Sequence, residues 1–229
     1  MANREPPKVT VRVLEKNELT GMEKRWEDIE KEFLPVDIIL LTVKDEERLS
    51  CLTFLSRIAM GYNSSVGDVY FGYIEGSVPL KIAVIQCSMG SSNPDGSLIK
   101  VKDAVPVLRP KAVFCVGFCG GLNTKKAELG DVIVSSKLIT YAFNKQGNNG
   151  IIDRSRIVDP SRNIATLIPN IGDGWKAPLV NAEDLNVTVR NDGVFLSGPE
   201  VVDNKERRDQ LMKRFPDATA IEMEGEGIV

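Results

Sequence analysis

The chain has 229 residues, 42% hydrophobic and 27% charged, with a net charge of −3 at pH 7 and no histidine. That length suits one large domain or one and a half small ones, burying roughly 70% of the unfolded surface, and the charge leaves no basic face for a polyanion, which argues against nucleic acid or an anionic membrane as the main partner. The missing histidine excludes Ser-His-Asp and Cys-His nucleophile systems and His metal clusters, so acid–base chemistry falls to carboxylates, with lysine, tyrosine or cysteine as substitutes.

Residues 1–35 read as an amino-terminal extension, with an alternating strand over 9–14 and a charged amphipathic helix over 21–33 closed by Pro35. The opening MANREPPKVTV lacks the apolar stretch of a secretory signal, and no apolar run approaches the ~20 residues that span a bilayer. A cytoplasmic location without membrane partners is expected. From residue 36 to 229, taken as the main domain, strand and helix alternate. An apolar strand covers 36–43, and 45–60 has helical spacing, with Leu49, Leu52, Leu55 and Ala59 on the inner face. Strands follow at 69–74 and 80–87, then a Gly-, Ser- and Asn-rich loop over 88–96 and a helix over 97–105 that Pro106 stops. Further strands are expected at 112–116 and 131–140, irregular chain at 144–174, a short strand at 194–196, a helix at 204–214 and a last strand at 218–223. This order predicts an α/β protein of three layers, α/β/α, around a central mixed sheet.

Cys51, Cys87, Cys115 and Cys119 all lie in or beside apolar segments and read as reduced small hydrophobes. Neither the spacing of Cys115 and Cys119 nor their neighbours support a zinc site, and no metal or cofactor is expected.

The run 112–116 is continuously apolar, as in a strand buried on both faces, and it ends in GFCGG. Ligands of such sheets lie beyond the carboxyl ends of the strands. Gly117, Gly120 and Gly121 let bare backbone approach a ligand there, or simply form a tight turn. Three other strand ends join this edge: the KDEE that follows residue 43, SMGSSN at 88–93, and EMEG at 222–225. A carboxylate beyond a buried strand is costly unless paired or ligand-bound, which marks Glu224; the other reading is a helix amino-terminus, where the dipole favours Glu.

TVKDEE, IQCSMGSSN, VGFCGGL with LGDVIVS, FLSGPEVV and AIEMEGEG, in this order from about residue 36 to the end, resemble the nucleoside phosphorylase and nucleosidase family, in its methylthioadenosine/S-adenosylhomocysteine nucleosidase-like branch. The resemblance implies a nucleoside phosphorylase-like fold, a purine nucleoside as small-molecule partner, hydrolysis of its N-glycosidic bond and a homo-oligomer. It implies that Glu47 deprotonates the attacking water, that Glu224 accepts hydrogen bonds from the ribose hydroxyls and that Met223 packs on the sugar. A backbone group at Val202 meets the purine. Phe118, Cys119 and Gly120 floor the base and sugar pocket, and the loop bearing Ser88 and Gly90 borders it. An oxocarbenium-like sugar is stabilised by ionised carboxylates, which suits these roles. Arginines hold phosphate in the family's phosphorylases; here the opening turn offers only Lys44, with Arg48 directed into the helix, which favours hydrolysis over phosphorolysis.

Two departures stand out. The family's general acid is an aspartate beyond the EMEG segment, whereas this sequence stops at Val229, which reads as a fragment of a longer protein. Phe118 and Cys119 also stand where small or hydroxyl residues are common. The competing readings are an ATP or nucleotide hydrolase of the same fold acting as an effector module in a larger signalling protein, and a nucleoside-binding module without turnover. A dinucleotide oxidoreductase is disfavoured because no G-x-G-x-x-G follows a strand.

Overall fold

The computed structural model describes residues 7–142, 144–147, 150–181, 183 and 185–228. Its first part runs through α1 (Trp26–Phe33), β1 (Ile38–Thr42), α2 (Asp45–Thr53), β2 (Ser56–Asn63), β3 (Gly67–Ile74), β4 (Leu80–Gln86), α3 (Ser97–Leu108) and β5 (Ala112–Cys115). The remainder adds β6 (Gly120–Gly121), β7 (Val132–Thr140), β8 (Asn144–Gly147), β9 (Gly150–Asp153), β10 (Arg156–Val158), α4 (Arg162–Ala165), β11 (Val189–Ser197), α5 (Lys205–Arg214) and β12 (Ala220–Glu222). They form two units. The first comprises 13–118 and the segment from 223 onward, and the second comprises the chain up to residue 12 and 119–222.

In the first unit a five-stranded mixed sheet has the order β2-β3-β4-β1-β5, with β1 parallel to both β4 and β5. Alternation along the strands sorts side chains between two cores. Ile39 and Leu41 of β1 and Ala83 and Ile85 of β4 face a cluster with Ile29 and Phe33 of α1 and Ala104 and Leu108 of α3. Ile38 and Leu40, with Ile82 and Val84, face the opposite cluster, which holds Leu49 and Leu52 of α2. Helix, sheet and helix make the expected three layers. The apolar strands are continuous in sequence because both faces are covered. The sequence from residue 21 onward belongs to this core, since Ile29 and Phe33 are fully buried and Phe33 stacks 5.3 Å from the Phe71 ring.

The second unit has its own five-stranded mixed sheet, order β10-β7-β11-β12-β6, and the hairpin β8-β9. Here β11 runs parallel to β7 and β12. Leu211 of α5, with Met212 and Phe215 behind it, packs on Ile139, Leu196 and Ile221. Asn204 caps α5 by accepting the Arg207 N–H at 2.9 Å.

Several expectations are corrected. The helix expected over 45–60 ends at Thr53, and β2 replaces its second half. Leu49, Leu52, Leu55 and Ala59 fit a helical period, yet Ile58 and Ala59 fall in opposite clusters, as adjacent strand residues must. The tight pass of α1 over β2 occurs at Gly61, where a Cβ would meet Ile29 Cγ1 at 2.8 Å. Residues 9–14 make a single bridge, Val9 to Leu179, instead of a strand. Pro106 lies inside α3, which continues to the buried Leu108 and closes at Arg109 in the left-handed region, φ 51°. The 144–174 stretch contains β8, β9, β10 and α4, and β11 is nine residues long instead of three. Register shifts between Arg190 and Val194 let the polar NDG segment remain in that strand.

Candidate active site

Where β1 gives way to α2, Glu47 occupies the first turn of the helix. Its Oε2 accepts the N–H groups of Val43 and Lys44, both at 2.8 Å, and its Oε1 accepts the Phe118 N–H at 2.9 Å. The residue is only 9% exposed, so these backbone donors compensate a buried carboxylate. A carboxylate has about four acceptor positions, and three are filled. Gly117 is explained by the same contact: a Cβ there would lie 2.6 Å from Glu47 Oε1.

Glu224 follows β12 at the head of a short 3₁₀ turn, but its carboxylate does not cap that turn. Its Oε1 instead accepts the Gly90 N–H at 2.9 Å, and its carbonyl accepts the Ser97 hydroxyl at 2.6 Å. Gly90 has φ 92°, a conformation open to glycine, and a Cβ at Gly96 would overlap the Gly90 carbonyl oxygen. Ser88 is exposed on the same loop and its N–H donates to the Asp95 carbonyl at 2.9 Å. Met223 is half-buried, and Phe118 is 77% exposed beside Gly117.

Cys87, at the end of β4, links the two acids electrostatically. Burial, then the negative charges of Glu224 and Glu47, push its thiol up to about 12. Cys87 carried no functional signal in the sequence beyond ending an apolar strand. Cys115 and Cys119, expected as packed hydrophobes, are exposed.

The remaining candidates belong to the second unit. Gly120 pairs with Ile221 of β12, where a Cβ would meet Ile221 Cγ2 at 2.9 Å, and Cys119 precedes it. Val202 follows β11 and packs on the cluster around Leu196 and Leu211. Its loop is tied down by Arg207, whose Nε and Nη2 donate to the two Glu200 carboxylate oxygens at 2.7 and 2.8 Å. Gly198 passes Tyr141 so closely that a Cβ would come within 2.6 Å of its ring.

A cavity of about 450 Å³ in the first unit lies elsewhere, bordered by Asp37, Tyr73, Lys81, Arg109 and Lys111. Asp37 and Lys111 precede β1 and β5, and Lys81 begins β4, so the hollow is at the edge opposite Glu47 and Glu224. No helix among the described residues is long and apolar enough to cross a membrane.

Residues 39–229 match the sequence model of the phosphorylase superfamily. A "Death domain-containing ATP nucleosidase" of Amphimedon queenslandica is 30% identical over 233 residues, covering 90% of this chain and 41% of that protein. The chain thus spans about two fifths of that relative's length. Among solved structures, a methylthioadenosine/S-adenosylhomocysteine nucleosidase from Colwellia psychrerythraea 34H in complex with adenine has a TM-score of 0.65 at 16% identity, covering 86% of this chain and 76% of that one. A mutant futalosine hydrolase of Helicobacter pylori strain 26695 has a TM-score of 0.62 at 20% identity, covering 84% and 81%. These structural likenesses concern the fold, and they agree with a nucleoside phosphorylase-like α/β architecture.

Proposed function

The chain belongs to the phosphorylase superfamily, and from that premise we propose that it hydrolyses the N-glycosidic bond of an adenine nucleoside, with Glu47 activating water and Glu224 holding the ribose hydroxyls. Water adds to the anomeric carbon as the bond to the purine nitrogen breaks. The proton that Glu47 takes from the water balances the one gained by the departing purine. Met223 packs on the sugar, the backbone at Val202 meets the base, and Phe118, Cys119, Gly120, Ser88 and Gly90 border the pocket. Carboxylates carry this chemistry without metal or cofactor.

The observation that carries the reading is the pair of acids beyond the carboxyl ends of the first sheet's strands, Glu47 held by the Val43, Lys44 and Phe118 amides and Glu224 by the Gly90 amide. Positive charge develops on the sugar in the transition state, and ionised carboxylates held in place by backbone donors stabilise it without reorganising. Hydrolysis is favoured over phosphorolysis because Lys44 is the exposed cation of the opening turn, while the Arg48 guanidinium is turned to Asp45 at 2.8 Å. The Amphimedon relative favours a second reading of the substrate, ATP in place of a methylthioadenosine- or S-adenosylhomocysteine-type nucleoside. On the same premise the protein acts as a cytoplasmic homo-oligomer, with 36–229 as its nucleosidase-like portion and 1–35 as an extension whose helix α1 packs into the first core through Ile29 and Phe33.

Incubation with methylthioadenosine, S-adenosylhomocysteine, adenosine or ATP, with and without phosphate, followed by chromatography, tests both readings. Free adenine and the base-free sugar, which from ATP is ribose 5-triphosphate, are expected independent of phosphate. A sugar 1-phosphate formed only with phosphate overturns hydrolysis, and binding without product overturns turnover.

A further inference from the structure

Arg48 is a permanent cation in an unusual place. Its side chain is 5% exposed, and Nε and Nη1 are buried without a hydrogen-bond partner among the described residues. Only Nη2 is bonded, to Asp45 Oδ1 at 2.8 Å, and the guanidinium carbon lies 4.9 Å from the Tyr70 ring centroid. Burying a charge this way adds little stability, and well-packed apolar replacements of buried ion pairs are often neutral or stabilising. The contacts of Asp45 indicate another use. Gln86 Nε2 donates to Asp45 Oδ1 at 3.3 Å and to the Val43 carbonyl at 2.9 Å, while the Val43 N–H donates to Glu47. The Val43 residue is thus clamped through its carbonyl by Gln86 and through its amide by Glu47.

We propose that Arg48 is a positioning residue for Glu47, acting through Asp45 and Gln86 to hold the turn between β1 and α2 in the geometry that presents the carboxylate. The proposal rests on the reading of Glu47 as the base. Arg48 itself touches no substrate. Its Nη2 bonds Asp45 while the guanidinium carbon lies over the Tyr70 ring, a combination of directed hydrogen bond and planar aromatic contact that lysine reproduces only in part.

The test compares wild type, R48M, R48K and Q86L for adenine release, thermal melting and amide exchange at Val43 and Lys44. R48M is expected to lower kcat about tenfold or more, as small misplacements of a catalytic group do. KM is expected to stay within about twofold, the signature of an interaction felt in the transition state. Melting is not lowered, exchange at Val43 and Lys44 quickens, R48K recovers part of kcat, and Q86L reproduces the loss should R48M fail to fold. Wild-type kcat in R48M and Q86L overturns the proposal, as does a loss of kcat that follows loss of folded protein with no recovery in R48K. If wild type releases no adenine, the assignment of Glu47 fails on its own. Amide exchange then decides for Arg48: unchanged protection of Val43 and Lys44 in both variants overturns its role in holding the turn.

Discussion

The two sheets solve the same packing problem differently. In the first unit β1 and β4 are buried along most of their length, with apolar clusters on both faces. In the second, β7 and β11 are exposed or half-buried toward their starts and buried toward their ends, and the core gathers near Leu138, Ile139, Leu196 and Ser197. Their loops differ in the same sense. The first unit pins its turns by carboxylates that accept backbone N–H groups, as Glu47 and Glu224 do. In the second, the carboxylates of Glu200 and Asp131 meet Arg207 and Arg190, and Asp131 also accepts the N–H groups of Glu128 and Thr188. A carboxylate satisfied by backbone keeps its full charge for a ligand, whereas one neutralised by arginine does not. On the proposed reading the chemistry belongs to the acids of the first sheet, and the pairs of the second serve as scaffolding.

The largest effect expected from this contrast is on turnover. Glu47→Gln is expected to reduce adenine release by about 10²–10⁴ while the protein stays folded; neutralising Glu200 in the second unit, by Glu200→Gln, is expected to change kcat far less. Equal losses in steady-state assays would erase the distinction. Next, Phe71→Ala removes a fully buried ring packed on Phe33 and is expected to destabilise the first unit by about 3–5 kcal/mol. Leu196→Ala, fully buried in the second cluster, is expected to lose about 2–5 kcal/mol, both read by chemical denaturation.

Gly117→Ala sharpens the comparison more finely. The new methyl can be seated only if the Glu47 carboxylate shifts, so kcat is expected to fall about tenfold with little change in melting temperature. The smallest effect is acid-dependent. Asp131, whose side chain is 2% exposed, is burdened by burial, but the N–H groups of Glu128 and Thr188 and the Arg190 guanidinium outweigh that and hold its carboxyl below the usual 3.8. A carboxyl lowered on folding stabilises the native state above the unfolded value, and that contribution fades as pH falls through the folded one. Asp131→Asn is therefore expected to destabilise by about 1.5–3 kcal/mol near neutrality. Its difference from wild type should shrink below about pH 4 in urea titrations, and a constant difference would remove the linkage.

How much of this was legible in the sequence follows the same divide. The uninterrupted apolar runs IILL and IAVI announced β1 and β4, because burial on both faces leaves no polar position in the middle of such strands. The NDG within β11 concealed a nine-residue strand, since a bulge and a partly exposed start tolerate polar residues. Between Leu49 and Ala59 a helical spacing arose from a helix followed by a strand, and local periodicity cannot tell that from one long helix. Glu224 was readable as an acid stranded beyond an apolar strand, and Glu47 only through the resemblance that the motifs carry. Their partners were not, because the Phe118 and Gly90 amides are backbone groups that carry no residue signature.

Taken alone, the sequence determined the α/β class, because apolar run length is written residue by residue, and its ordered motifs carried the resemblance to the family and, through it, the acids proposed to act. Tertiary structure decided where the second half of the expected helix went, which carbonyls and amides hold each acid, and that Arg48 is spent on Asp45. These depend on strand register and close backbone approach, properties of segments distant in the chain that no local pattern encodes.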